Sequence, residues 1–205
     1  MAPALLQTIP LEHLPESHTL HIALYRNITN ASFLHQQLLT GNTDFEYAFI
    51  DASVVLSKLH ILAAAYRAIN DALEERLKSR NIHSEIVFSL SMNNNIAESF
   101  RRFGITPTTT SLLVVKVAPA SSASQISEHL SSVIEGEPVP FEDESLASMV
   151  DIARVKKLYK LSALGGGAKK GGANGVNGKV ENKVEERKEL EIMVLGAMAL
   201  RGATN

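Results

Sequence analysis

There is no cysteine among the 205 residues. A disulfide framework, a thiol nucleophile and Cys-ligated zinc are therefore excluded, and the chain suits a reducing compartment. Charge of one sign is also lacking. The formal net charge is −2, so no overall field draws the chain to DNA or to an acidic membrane. Aromatic residues are scarce, at 5%, too few for a dedicated base-stacking platform of the familiar RNA-binding kind. The opening stretch, MAPALLQTIPLEHLPESH, has no basic leader, and Pro3 and Pro10 interrupt its apolar residues. It reads as neither a signal peptide nor a membrane span. Without a secretory signal, Asn27-Ile28-Thr29 and Asn30-Ala31-Ser32 read as turn and cap chemistry rather than glycosylation acceptors.

Catalytic and cofactor motifs are missing too. In the glycine-rich stretch Gly178-Lys179 is followed by Val180, where a phosphate loop needs Ser or Thr for magnesium, and Ala173 replaces the earlier glycine. Arg26-Asn27-Ile28-Thr29 stands where a dinucleotide fold has its glycines. The seven histidines form no His-x-x-x-His or Glu-x-x-His pair, so no metal is expected. Glu142, Asp143 and Glu144 follow Pro138 and Pro140 and read as a solvated acidic loop. No serine occupies a G-x-S-x-G elbow. No cofactor and no enzyme activity is indicated.

What is present is enough for one packed domain: 45% of the residues are apolar, at a length that buries a core without a metal or disulfide. Strand periodicity predicts strands at Thr19–Tyr25, Phe45–Ile50, Ser84–Leu90 and Ser111–Val117, the last buried on both faces. Asn30 is the expected cap of a helix that stops at Gly41. The clearest helix is VVLSKLHILAAAYRAINDALEERLK, with Val55, Leu59, Leu62, Tyr66, Ile69 and Leu73 as one apolar stripe, read as core-facing. Helices are also expected at Ser122–Ile134 and within Glu144–Leu161. LGGGAKKGGANGVNGKVENK has almost nothing to bury and reads as a linker. The segment that follows, apolar from Ile192 to Leu200, must be covered, and is expected to fold back on the domain as a helix. The fold class is α/β (α+β): one domain, with a central mixed sheet of about four strands packed by helices. Its parts are an N-terminal extension (1–17), a core (18–163), a flexible linker (164–183) and a C-terminal helix (184–203).

The stretch SMNNNIAESFRRFGI, from Ser91 to Ile105, combines cap, helix and stop. Asn93 or Asn94 caps the helix, Ile96, Phe100 and Phe103 form its apolar face, and Gly104 ends it in the left-handed conformation, with Ile105 packing back. Two asparagines are then left with no structural task, and Arg101 and Arg102 flank the stripe. Amide and guanidinium groups of this kind suit contact with a partner or with an RNA end. A small stand-alone RNA-processing or nucleotide enzyme using His83 and the Asn-rich loop is the alternative reading, and a protein that binds tRNA alone is a third.

The runs IDASVVLSKLHILAAAYRAI, RNIHSEIVFSLSMNNNIAESFRRFGI and SLLVVKV resemble the PRPK-binding protein family, the TPRKB/CGI-121-like subunits of the KEOPS complex, also called EKC. The resemblance covers Leu20 to Lys160 and is most specific from Arg80 to Ile105. It implies a non-catalytic subunit that binds the atypical, PRPK-like kinase of KEOPS and meets the other KEOPS subunits through that kinase. The complex makes threonylcarbamoyladenosine in tRNA, and archaeal relatives hold the tRNA 3′ CCA end. Nucleus and cytoplasm are the implied compartments, with a connection to telomeres and transcription in fungi. On this reading Ile96, Ser99, Phe100, Met193, Leu195 and Met198 are candidates for the kinase interface. His83, Asn93, Asn94, Asn95, Arg101 and Arg102 are candidates for tRNA contact.

Overall fold

The computed structural model describes residues 3–161 and 176–201. Its centre is a sheet of five strands: β1 (Gln7–Ile9), β2 (Thr19–Arg26), β3 (Ala48–Asp51), β4 (Leu112–Ala118) and β5 (Glu137–Val139). The order is β1-β2-β4-β3, with β5 also paired to β2. β2 and β4 run antiparallel from Thr19↔Ala118 to Tyr25↔Leu112, and β1 and β5 share the other edge of β2. Every pairing among the described residues is antiparallel, where a mixed sheet of about four strands was expected. The two additional strands have three residues each, too short to show a period of two.

Both faces of the sheet are covered. One carries Leu20, Ile22, Leu24, Ile50, Leu113 and Val115. It packs on α2 (Lys58–Leu73), α3 (Ile82–Ser89), the end of α4 (Ile96–Phe103), α6 (Asp143–Met149), α7 (Ile152–Leu158) and α8 (Val176–Ala199). The other carries Ala23, Tyr25, Phe49, Leu112 and Val114 and packs on α1 (Ala31–Leu39) and α5 (Ala123–Val133). This explains the near-continuous apolar run of β4: alternate side chains enter two different cores. The expected linker, 164–183, lies largely outside the described residues.

Three sequence readings are corrected. Ser84–Leu90 is not a strand; it lies within α3 and its C-cap. Every residue from Glu85 to Ser89 is buried, so the helix has no polar face to reveal its period. Buried Glu85 is tolerated because its Oε2 accepts the backbone N–H groups of Lys78 and Ser79 and the Ser79 hydroxyl. On α2, the inward face is the alanine-rich one, Ile61, Ala64, Ala65, Ala68 and Ile69, while Leu59, Tyr66 and Leu73 point to solvent. Small side chains let α2 approach the sheet closely and leave the larger ones outside. Finally, Gly104 has φ −72°, not a left-handed value. Glycine is needed there because a Cβ would stand 2.6 Å from the carbonyl oxygen of Phe100.

Candidate functional site

The Asn-rich loop is mostly structural. Asn95, not Asn93 or Asn94, caps α4: its Oδ1 accepts the N–H of Glu98 at 2.9 Å. Asn93 shapes the loop, its Oδ1 accepting the Asn95 N–H at 3.1 Å and the Ser91 hydroxyl at 3.1 Å. Only Asn94 is left exposed without such a role. Arg101 and Arg102 both pair with Glu98, so the arginine pair presents one net positive charge rather than two. Ser99 is fully buried, its hydroxyl donating to the Asn95 carbonyl at 2.8 Å. Ile96 is exposed and Phe100 half-buried.

Beside β3 lies a cavity of about 480 Å³, between the end of α1, the loop before β3, the start of α3 and the end of α4. Of the candidate residues for tRNA contact, it brings together His83 and Arg101; Asn93, Asn94, Asn95 and Arg102 lie outside its lining. Sequence reasoning missed Arg80, which also lines it. The Arg80 guanidinium covers Gly41, where φ is +69° and an added Cβ would meet Nη1 at 2.9 Å. Among the described residues Arg80 forms no ion pair, unlike Arg101 and Arg102. The glycine followed by an arginine far along the chain gave no sequence signal, because their approach is tertiary.

His83 stands on the first turn of α3, whose cap is Asn81, accepting the Ser84 N–H at 2.8 Å. It is buried, and its Nε2 accepts the Val117 N–H at 3.1 Å. Its Nδ1 has no hydrogen-bond partner. Burial first, then the nearby Lys116 ammonium, pushes its pKa down to about 3, so the imidazole is neutral. Lys116 donates to the Glu46 carbonyl at 2.6 Å and lies over the Tyr47 ring; burial lowers its pKa as well.

The second feature is an apolar stripe on the opposite side of the core from α1 and α5. Leu59 is 52% exposed and Tyr66 40% on α2, and Ile192 is 70% exposed on α8, with Leu200 just beyond its end at 58%. α8 runs parallel to α2: Glu191 accepts from the Ser57 hydroxyl near the start of α2, and Arg67, further along, donates to the Met198 carbonyl at 2.8 Å. Leu190, Val194 and Met198 face inward. Among the interface candidates on α8, Met198 is thus buried, while Met193 and Leu195 are half-buried. Sequence reasoning missed Leu59 and Tyr66 as surface residues because it assigned the α2 stripe to the core, and Ile192 because it expected the whole apolar run from Ile192 to Leu200 to be covered.

Among the described residues no group of three or more His, Asp or Glu side chains could hold a metal ion, and no helix is long and apolar enough to cross a membrane. Asp143 of the acidic run accepts the Lys58 N–H at 2.7 Å and so helps begin α2.

Residues 25–202 match the family model described as "Kinase binding protein CGI-121". The chain is 55% identical over 201 residues to a protein of Aspergillus fumigatus named "EKC/KEOPS complex subunit cgi121", covering 97% of this chain and 98% of that one. It is 52% identical over 206 residues to the subunit of the same name from Coccidioides immitis, covering 98% and 100%. To that of Schizosaccharomyces pombe it is 36% identical over 147 residues, covering 72% and 84%.

Proposed function

The chain belongs to the CGI-121 kinase-binding protein family, and from that membership we propose that it is a non-catalytic subunit of an EKC/KEOPS complex that docks the complex's atypical kinase through the outer faces of α2 and α8. The observation that carries this reading is the stripe of Leu59, Tyr66 and Ile192. Large apolar side chains at helical spacing, held outward by a packed core beneath, are what a protein partner covers. A central Tyr is a common anchor of such contacts. Ile96 and Phe100 on α4, and Met193 and Leu195 on α8, belong to the proposal as neighbouring contacts. Ser99 and Met198 act from beneath, by packing.

Through the kinase the subunit would support threonylcarbamoyladenosine modification of tRNA, in nucleus and cytoplasm. The cavity by β3 is the proposed seat of the tRNA 3′ CCA end, with Arg80, Arg101, Arg102 and Asn94 on the approach. Two cationic side chains at the mouth of an apolar cavity suit a phosphodiester leading into it. A role at telomeres would follow from the whole complex.

Co-purification with the kinase tests the main surface. Tyr66→Glu combined with Ile192→Glu should reduce capture at least tenfold, as expected when a central apolar anchor becomes charged. Ile96→Glu should act less. The reverse order of effects would move the interface to α4, and no capture by the unaltered chain would overturn the reading.

A further inference from the structure

We infer that Glu85, Ser89 and Arg201 hold one buried water molecule between α3 and the end of α8, and that this water completes the ion pair which fastens α8 to the core. The inference does not depend on the function proposed above.

Three polar atoms carry it. Glu85 Oε1, Ser89 Oγ and Arg201 Nε are all buried, and none has a hydrogen-bond partner within the protein. Glu85 and Ser89 are wholly inaccessible, and Arg201 is only 5% exposed. Buried polar groups are almost always satisfied, so each orphan calls for an explanation, and three on neighbouring elements call for a shared one. Glu85 and Ser89 stand four residues apart on α3 and share one face of that helix. The Ser89 hydroxyl makes no bond back to the carbonyl four residues earlier, a common partner of a serine inside a helix. Arg201 reaches the same helix from the end of α8. Its Nη1 donates to the carbonyl of Phe88, the residue before Ser89, and its guanidinium lies 4.0 Å from the centre of the Phe88 ring. The Glu85 carboxylate is close enough to offset part of what burial and Arg67 do to the Arg201 pKa, yet Nε and Oε1 do not meet. Charges that feel each other without touching are what one bridging solvent molecule produces.

The chemistry of the three atoms selects the ligand. Nε–H only donates, a carboxylate oxygen only accepts, and a hydroxyl does either. A small ion of either sign would face a like charge, on Arg201 or on Glu85. A neutral molecule that both gives and takes remains, and water is the smallest. It accepts from Arg201 Nε–H and from the Ser89 hydroxyl and donates to Glu85 Oε1, the three bonds typical of a buried water. Glu85 Oε2 is already held by the Lys78 and Ser79 N–H groups and the Ser79 hydroxyl, so the carboxylate is oriented before the water joins it. The turn before α3, α3 itself and the end of α8 are thereby tied together through one carboxylate and one water.

Two measurements on the unaltered full chain test the site. A crystal structure at a resolution that orders solvent should show one water within hydrogen-bond distance of all three atoms. In solution the Arg201 Nε–H resonance should show a nuclear Overhauser effect to water, with the sign of a long-lived contact. A direct bond between Arg201 Nε and Glu85, or a dry site, would overturn the inference. Ser89→Ala then separates a shared water from an idle hydroxyl by the direction of its effect. Removing a hydroxyl that bonds nothing relieves a penalty, so Arg201 Nε–H would exchange with solvent no faster than before. Removing one that holds the water should speed that exchange about fivefold, the factor of one ordinary hydrogen bond. Ser89→Asn places an amide, which also donates and accepts, where the water sits. It should restore slow exchange and abolish the Overhauser effect to water. Unchanged exchange in Ser89→Ala, or an Overhauser effect that survives Ser89→Asn, would count against the shared water.

Discussion

The Nε2 of His60 lies 2.8 Å from the hydroxyl of Tyr159, and this contact ties α2 to the end of α7 inside the main core. His60 Nδ1 accepts the Leu56 N–H at 3.1 Å, so Nε2 carries the imidazole proton and donates to Tyr159. The Tyr159 hydroxyl in turn donates to the Leu90 carbonyl, just past α3. Three elements far apart in sequence are thereby held by one chain of hydrogen bonds in which each polar atom has its partner.

Tyr159→Phe removes the middle link and leaves both the His60 donor and the Leu90 acceptor unpaired in the core. The expected loss of stability is about 2 kcal/mol, the usual cost of a buried hydrogen bond broken from one side. Urea denaturation followed by far-ultraviolet circular dichroism measures it. An unchanged midpoint would show that the network contributes nothing net.

Acid should destabilise the chain well before its carboxylates titrate. Burial pushes the pKa of His60 down to about 3 from 6.5, and burial with Lys116 does the same for His83. The unfolded chain takes up both protons near the ordinary value, the folded chain only near the lowered one. Between these limits the unfolded state binds more protons, so stability is complete above about pH 6.5 and falls as pH falls towards 3. Each histidine sets an upper slope of about 1.4 kcal/mol per pH unit. Urea midpoints should drop between about pH 7 and about pH 5, a range above the titration of ordinary carboxylates. A flat profile there would mean that both rings take up protons as readily in the folded chain as in the unfolded one.

The three consecutive asparagines separate by role. Asn95→Ala removes the α4 cap and should cost about 1 kcal/mol. Asn94→Ala should leave stability unchanged, since Asn94 is exposed and is given no cap or turn bond. If Asn94 touches RNA, its substitution weakens tRNA binding without moving the thermal midpoint. Thermal melting and a tRNA binding titration of the same two variants distinguish the cap from the contact.

Much of the sheet was legible because β2 and β4 are long enough to show their pattern, and β4 showed burial on both faces outright. α3 was not legible: a short helix buried all round has neither the alternation of a strand nor the stripe of an amphipathic helix, and Ile86, Phe88 and Leu90 happened to alternate. The α2 stripe was found but half of it was misplaced: Val55 and Ile69 are buried as expected, whereas Leu59, Tyr66 and Leu73 point to solvent. Leu59, Tyr66 and Leu73 are the larger residues, and periodicity gives the faces of a helix without saying which is inside. The same error marks the candidate surface, since a large apolar stripe opposite an alanine-rich inner face is one that a partner can cover. His83 was singled out by its place in the sequence, whereas Arg80 needed the fold to bring it against Gly41.

Arg201 should be the residue that holds α8 in register with the core. It is buried just past the helix, its Nη1 donates to the Phe88 carbonyl, and its guanidinium lies 4.0 Å from the centre of the Phe88 ring. Its own carbonyl accepts from Arg67, which also holds Met198. Burial, then the charge of Arg67, lowers its pKa to about 10, still high enough to keep it charged at neutral pH. Arg201→Ala gives up the carbonyl bond and the ring contact at once, and the ends of a helix open before its middle. Amide exchange in Leu190–Ala199 should accelerate at least tenfold, while β2 and β4 keep their protection. If α8 carries part of the kinase surface, capture of the kinase should weaken in the same variant, because docking must then also reorder the helix. Faster exchange with undiminished capture would confine the kinase to α2 and α4.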